Sequence, residues 1–261
     1  MNMAPAVNHQ RSVGSILLTV GAQGLRRMRE AGAAKVRMPH GGREAILINT
    51  GGGLAGGDTF DFDIAAEENA QLTITSQAAE RVYRSLGPAA TINVKLRAAA
   101  GATLCWLPQE TILFDGAALS RCIETDLAPD ARFLGVESVI LGRAAMGETI
   151  RHARLRDRWR IRQGGKLVFA DDLAFDGAPP ATRATLKGAK AFATMVLIAD
   201  DAEMFLESAR EAIGGSGGAS AWSGKLIARL AAKDGFALRK ALIPVLTVLA
   251  RGAALPKVWS F

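Results

Sequence analysis

The chain has 261 residues, of which 49% are hydrophobic and 22% charged, and a net charge of +7. Such a balance buries a sizeable core and excludes a disordered chain, a collagen and a coiled coil. With only Cys105 and Cys122 to oxidise and no apolar stretch long enough to span a bilayer, a cytoplasmic protein with no membrane attachment is expected.

Residues 1–11 carry no pattern and are expected to form a disordered tail ahead of a single β-rich domain over residues 12–261. From there, short apolar runs alternate with polar residues and stop at glycine, proline or aspartate. Phe60, Phe62 and Ile64 alternate with Asp61 and Asp63, and Ile92, Val94 and Leu96 alternate with Asn93, Lys95 and Arg97. This period of two predicts half-buried strands at 16–20, 44–49, 60–64, 72–75, 92–96, 103–107, 119–127, 132–141, 149–162, 166–170 and 191–198. With no helical pattern between them, an antiparallel arrangement is expected.

Helices come late. Asp200 and Asp201 precede Phe205, Leu206, Ala209, Ala212 and Ile213 at helical spacing, and Gly214-Gly215 ends the run, which predicts a helix near 201–213. Residues 214–220 read as a flexible glycine/serine connector. A strand at 226–230 and a second helix near 236–250 follow, with Pro244 expected to kink that helix or mark its first turn. No internal repeat is evident.

Motifs for catalysis are missing. Gly51, Gly53 and Gly56 make a formal GxGxxG after a strand, which raises an NAD(P)-dependent oxidoreductase as an alternative. The residues that follow, Thr59 to Ile64, have strand rather than helix period, so a turn is the better reading. Neither Gly164-Gly165-Lys166 nor Gly224-Lys225 is followed by a hydroxyl residue, His9, His40 and His152 are scattered, and no nucleophile elbow exists.

Two charge patterns stand out. Acidic residues recur beside strands: Asp58, Asp61, Asp63, Glu80, Glu110, Asp115, Glu137, Asp171 and Asp172. Most suit solvated strand faces, and a subset turned inward would hold a divalent cation weakly, as carboxylates do. Arg154, Arg156, Arg158, Arg160 and Arg162 alternate with Leu155, Asp157, Trp159 and Ile161, so a strand places five guanidiniums on one face at roughly 6.6 Å spacing. Opposing carboxylates or an acidic protein partner would relieve their repulsion. A basic nucleic-acid-binding β protein is a second alternative, weakened because Trp159 lies on the opposite face.

Three longer stretches are specific in combination: residues 49–58 (NTGGGLAGGD), 77–85 (QAAERVYRS) and 106–116 (WLPQETILFDG), followed by Leu141-Gly142-Arg143, Met146-Gly147-Glu148 and Leu255-Pro256-Lys257-Val258-Trp259. In this order they closely resemble the urease accessory protein UreD (UreH) family, from Ile16 almost to the C-terminus. The resemblance implies a mainly β fold, an extended, twisted antiparallel or helical β-sheet arrangement with a small C-terminal α-helical part. It also implies a maturation scaffold rather than an enzyme: required for nickel insertion, docking on apo-urease and binding UreF, which recruits UreG, the partner that hydrolyses GTP. No cofactor would be tightly bound, Ni2+ would pass transiently along an internal acidic tunnel, and no nucleic acid or membrane would be engaged. Carried over by motif, the tunnel acids are Asp58, Glu80, Glu137 and Asp171. Partner contacts are expected along Arg154, Arg156, Arg158 and Arg160, and at the apolar end of the chain around Leu246 and Trp259, where a tryptophan and aliphatics would suit an interface, with plain core packing as the alternative.

Overall fold

The computed structural model describes residues 11–39, 42–143, 146–182 and 185–260. The expected tail therefore lies, apart from Arg11, outside the described residues, as do His9 and His40. The chain begins with β1 (Val13–Gly21), turns back as β2 (Gly24–Gly32), and crosses through β3 (Ala34–Arg37) to β4 (Glu44–Asn49). It then winds through β5 (Thr59–Ala66), β6 (Gln71–Ser76), β7 (Glu80–Val82), β8 (Ala90–Ala98), β9 (Thr103–Leu107), β10 (Thr111–Leu113), β11 (Ala118–Leu127), β12 (Arg132–Leu141) and β13 (Ala153–Gln163). After β14 (Lys166–Gly177) and β15 (Ala191–Ile198) come α1 (Leu206–Ile213), β16 (Gly217–Trp222), β17 (Lys225–Ala232) and α2 (Gly235–Leu249).

Two sheets result. The first runs β14-β13-β11-β8-β5-β1-β2, and the second β16-β17-β15-β12-β9-β6-β4-β3, with β7 and β10 continuing alongside the far half of β12. Mainly β with a late helical layer is what the sequence implied. The antiparallel expectation holds only at the margins, in β1/β2, β3/β4, β13/β14 and the pairs made by β15, β16 and β17. In the middle, β1, β5, β8, β11 and β13 are parallel, as are β4, β6, β9 and β12. The reason is the winding: the chain visits the two sheets alternately, so it re-enters each one in the same direction, and connections supply the crossover that parallel strands need.

A repeat hides in that winding. The corners after β5, β8 and β11 are four-residue turns, residues 67–70, 99–102 and 128–131, and each closes with an N–H to carbonyl bond from its last to its first residue at 3.0–3.1 Å. Each turn ends on a buried alanine: Ala70, Ala102 or Ala131. The first two stack through Asn69 N–H on the Ala100 carbonyl, and the strands leaving them are joined by Thr103 N–H on Ala70 and Arg132 N–H on Ala102. Asn69 and Gly101, in the third position, adopt left-handed φ of 55° and 66°, which asparagine and glycine tolerate best.

Alternate residues of both sheets face a common core, with Phe60, Ile64, Leu96, Trp106, Phe133 and Trp159 buried there. The other face of the second sheet meets the helices: Leu134, Val136, Met195 and Leu197 pack with Leu238, Leu242, Val245, Leu246, Leu249 and Trp259. Asp234 caps α2 by accepting the Ala237 N–H at 2.7 Å, and the helix continues through Pro244 without a break. Leu246 is 0% and Trp259 1% exposed, and the Trp259 indole donates to the Leu107 carbonyl at 3.0 Å. These two residues are corrected from a docking surface to the core: the amphipathic face of α2 is covered by the chain's own sheet. The 214–220 connector is also corrected. A short 3-10 turn is followed by β16, which pairs with β17 and packs Ala219 inward. Gly217 serves close approach, since a Cβ there would lie 2.0 Å from the Arg229 carbonyl oxygen, whereas one on Gly218 would meet open space.

Candidate functional site

The glycine-rich segment links β4 to β5. Gly52 and Gly57 sit at φ 72° and 87°, and a Cβ on Gly53 would come within 2.4 Å of the Tyr83 ring. The element after it is a strand, so no helix dipole faces the loop and the dinucleotide alternative has no physical basis. The loop instead organises acids. Asp58 is 4% exposed, and its carboxylate accepts the N–H groups of Ser12 at 2.8 Å and Ala55 at 2.7 Å. Glu80, on β7, accepts the Asn49 amide at 3.1 and 3.3 Å. Burial pushes the Glu80 carboxyl up to about 7, with Asn49 and Arg81 pulling back and nearby Asp58 adding to the rise. A recess of about 360 Å³ opens here, lined by Asn49, Gly53, Ser76, Glu80 and Arg81.

Glu137 lies deeper, on the inward face of β12. It accepts the Trp106 indole N–H at 2.8 Å and pairs with Arg121 from the opposite sheet. Arg121 also donates to Asp157 at 3.1 and 2.5 Å and to the Thr111 hydroxyl at 3.1 Å. Arg121 is 3%, Glu137 4% and Asp157 8% exposed. Burial works against the Arg121 charge, and Asp157 and Glu137 more than restore it. Burial also raises the Glu137 carboxyl above the usual range, opposed by Arg121. The sequence reading missed Arg121 and Asp157 as a pair. Their signal was positional: each occupies an inward slot in an otherwise apolar alternation, Arg121 between Leu119 and Ile123, and Asp157 between Leu155 and Trp159.

Asp171, on edge strand β14, stands beside Trp159 and pairs with Arg229 of β17 at 2.7 Å. A second recess of about 540 Å³ opens there, with Asp171, Asp172, Thr194 and Arg229 in its wall. Strand register ties the three places together. Glu80 is opposite Thr111 on β10, Thr111 bonds Arg121, Glu137 is opposite Thr194, and Thr194 is opposite Arg229. A polar seam thus crosses the apolar interior from the Glu80 recess to the Asp171 recess, with the Arg121–Glu137–Asp157 cluster midway, while Asp58 is buried near Glu80 and is not part of the recess wall. No group of three or more His, Cys, Asp or Glu side chains arranged to hold a metal ion is present among the described residues.

The arginine row occupies the outer face of β13, as its alternation predicts. Asp172 of β14 meets Arg158 at 3.4 Å and Arg160 at 2.5 Å. Beyond it the sheet alternates in sign: Arg160 is beside Glu124, Glu124 beside Lys95 and Lys95 beside Asp63, while Arg162 is beside Asp126 and Asp126 beside Arg97. Such opposed pairs stabilise a sheet, and interspersed carboxylates make this broad face a poor track for a nucleic-acid backbone. Cys122 lies on this outer face and Cys105 on the helix side of the second sheet, and both thiols are free. No described helix is long and apolar enough to cross a membrane.

The model of the family described as UreD urease accessory protein matches residues 14–260. The chain is 46% identical to the urease accessory protein UreD of Rhizobium etli, with 99% of this chain and 98% of that protein covered. It is 48% identical to the protein of the same name in Rhizobium rhizogenes, covering 88% and 87%, and 46% identical to that of Agrobacterium fabrum, covering 97% and 93%.

Proposed function

The chain belongs to the UreD urease accessory protein family, and from its role in urease maturation we propose that it is a non-catalytic scaffold handing Ni2+ to apo-urease. In this reading it bridges apo-urease to UreF and, through UreF, to UreG, which hydrolyses GTP. Nickel is cargo, met only in transit. The observation that supports transit is the seam: carboxylates at both recesses and at the midpoint, joined by Thr111 and Thr194 through a wall of aliphatic and aromatic side chains.

Oxygen donors hold borderline divalent metals less firmly than imidazole or thiolate, so a series of them favours onward release. At the midpoint the Arg121 guanidinium already occupies Glu137 and Asp157. A divalent ion there takes the place of that guanidinium, and its charge matches the two carboxylates it gains. Glu80 gathers the ion at one recess, with the buried charge of Asp58 close behind it, and Asp171, released from Arg229, receives it at the other.

The test is reconstitution of apo-urease with UreF, UreG, GTP and limiting nickel, with and without this chain. Co-purification with urease and UreF, and activation that requires the chain, are expected. Full activation without it, or failure to enter the complex, would refute the scaffold role. The Asp58→Asn variant, which loses the charge but keeps a side-chain oxygen for a backbone N–H, should assemble normally and activate less.

A further inference from the structure

The five arginines of β13 are not equivalent. Arg158 and Arg160 share Asp172, and Arg160 and Arg162 face Glu124 and Asp126 across the parallel pair. Arg156 instead lies between Ser120 and Ala174, and Arg154 between Ala118 and Asp176, whose carboxylate is turned to His152. Neither Arg154 nor Arg156 makes an ion pair among the described residues. Arg154 reaches only the Gly87 carbonyl, at 3.4 Å.

That unneutralised end runs into a cleft of about 570 Å³ walled by Arg84, Arg151, His152, Arg154 and Asp115. Asp115 is already fully engaged. It accepts the N–H groups of Arg151 at 2.8 Å and His152 at 3.1 Å, and the guanidiniums of Arg151 at 2.9 Å and Arg84 at 3.2 Å. The bonds from the Arg151 and His152 N–H groups and the Arg151 guanidinium pull its carboxyl down to about 2. His152 faces Asp176 at 3.3 Å. Four guanidiniums, those of Arg84, Arg151, Arg154 and Arg156, therefore meet two carboxylates, and the excess is positive. Leu86, 86% exposed, stands at the rim as an apolar contact.

The geometry points to this cleft, with Arg154 and Arg156, as a docking site for a short run of Asp or Glu side chains on a partner protein. The Arg158–Arg162 half of the row is engaged within the sheet and does not take part. Arginine forks suit carboxylates. The patch is short, bounded by Asp172, Glu124 and Asp126 and interrupted by Asp176 opposite Arg154, so it fits a few carboxylates and repels a continuous polyanion. The inference deepens the scaffold reading, because it assigns the acid-recognising part of the docking surface.

The experiment uses the full chain and two arms. In the first, a fluorescein-labelled hexapeptide of alternating Asp and Glu is titrated against wild type, Arg154→Glu/Arg156→Glu, Arg84→Ala, and the matched control Arg27→Glu/Arg29→Glu on the exposed far edge of the same sheet. Loss of about tenfold or more in affinity in the first two variants, with the control unchanged and binding weakened by salt, is expected. Equal losses in the control, no loss in the cleft variants, or tighter binding of a single-stranded oligonucleotide that the cleft variants abolish would overturn it. In the second arm the same variants are assayed for retention of apo-urease with UreF present. If wild type retains urease and the cleft variants retain it equally, this site is refuted while the scaffold role stands. Selective loss in the cleft variants supports both.

Discussion

Replacing Glu137 by glutamine separates a transport role from a structural one. The side chain keeps an oxygen for the Trp106 indole N–H, now 2.8 Å away, and Arg121 keeps Asp157 at 3.1 and 2.5 Å. Removing one partner of a buried ion pair ordinarily costs about 3–5 kcal/mol because a charge is stranded. Here the guanidinium is not stranded. Burial has raised the Glu137 carboxyl in the folded chain, so the folded state binds its proton more tightly than the unfolded state, and ionising it costs stability as pH rises above the ordinary carboxylate value. The glutamine variant should therefore unfold within about 1.5 kcal/mol of wild type at about pH 6 and gain on it at about pH 8. Urea denaturation at the two pH values measures this, and reconstituted urease activation at limiting nickel should fall severalfold although the complex still assembles. A loss of about 3 kcal/mol or more at both pH values would show that Glu137 is a structural counter-ion. Unchanged activation would remove it from the nickel route.

Arg121→Met leaves Glu137 and Asp157 buried together without their cation, and urea unfolding should register a loss of about 3–5 kcal/mol near neutral pH, eased on acidification as Glu137, whose carboxyl burial already raises, takes up its proton. Glu80 titrates at about 7 in the folded chain against an ordinary value of 4.5. Its contribution therefore falls as pH rises from 4.5 through about 7, and Glu80→Gln should flatten that part of the stability profile, read by thermal melts across pH. Leu246→Ala should cost about 2–5 kcal/mol as a core truncation. Partner binding per folded molecule should stay unchanged, whereas a docking residue would show the reverse.

The strand positions were legible because a half-buried strand writes its period of two into the sequence, and the corners of the winding carry punctuation. Strand direction was not legible. Alternation such as Phe60-Asp61-Phe62-Asp63-Ile64 is the same in parallel and antiparallel pairs, and the corner repeat is marked by little more than Ala70, Ala102 and Ala131. Strand β2 escaped because both its faces are largely exposed, and an edge strand rich in arginine needs no buried face. The β16 glycines looked like a linker although Gly217 is there for its close approach to β17, and composition alone does not distinguish the two uses. In the site, Asp58, Glu80, Glu137 and Asp171 came from motif resemblance. What that could not supply was Arg121 and Asp157, whose meaning depends on two sheets meeting. The α2 and Trp259 surfaces were misplaced because an apolar stripe looks the same whether its cover is a partner or the chain's own sheet.

The most direct measurement is an anomalous-scattering map at the nickel edge, from crystals of the assembled complex with apo-urease, UreF and UreG trapped with nickel in transit. Density between the sheets beside Glu137 and Asp157, with Arg121 displaced, and at the Glu80 and Asp171 recesses, is the predicted result. Nickel bound only on the outer surface or on the partners, with the Arg121 cluster intact and the seam empty, would contradict the account.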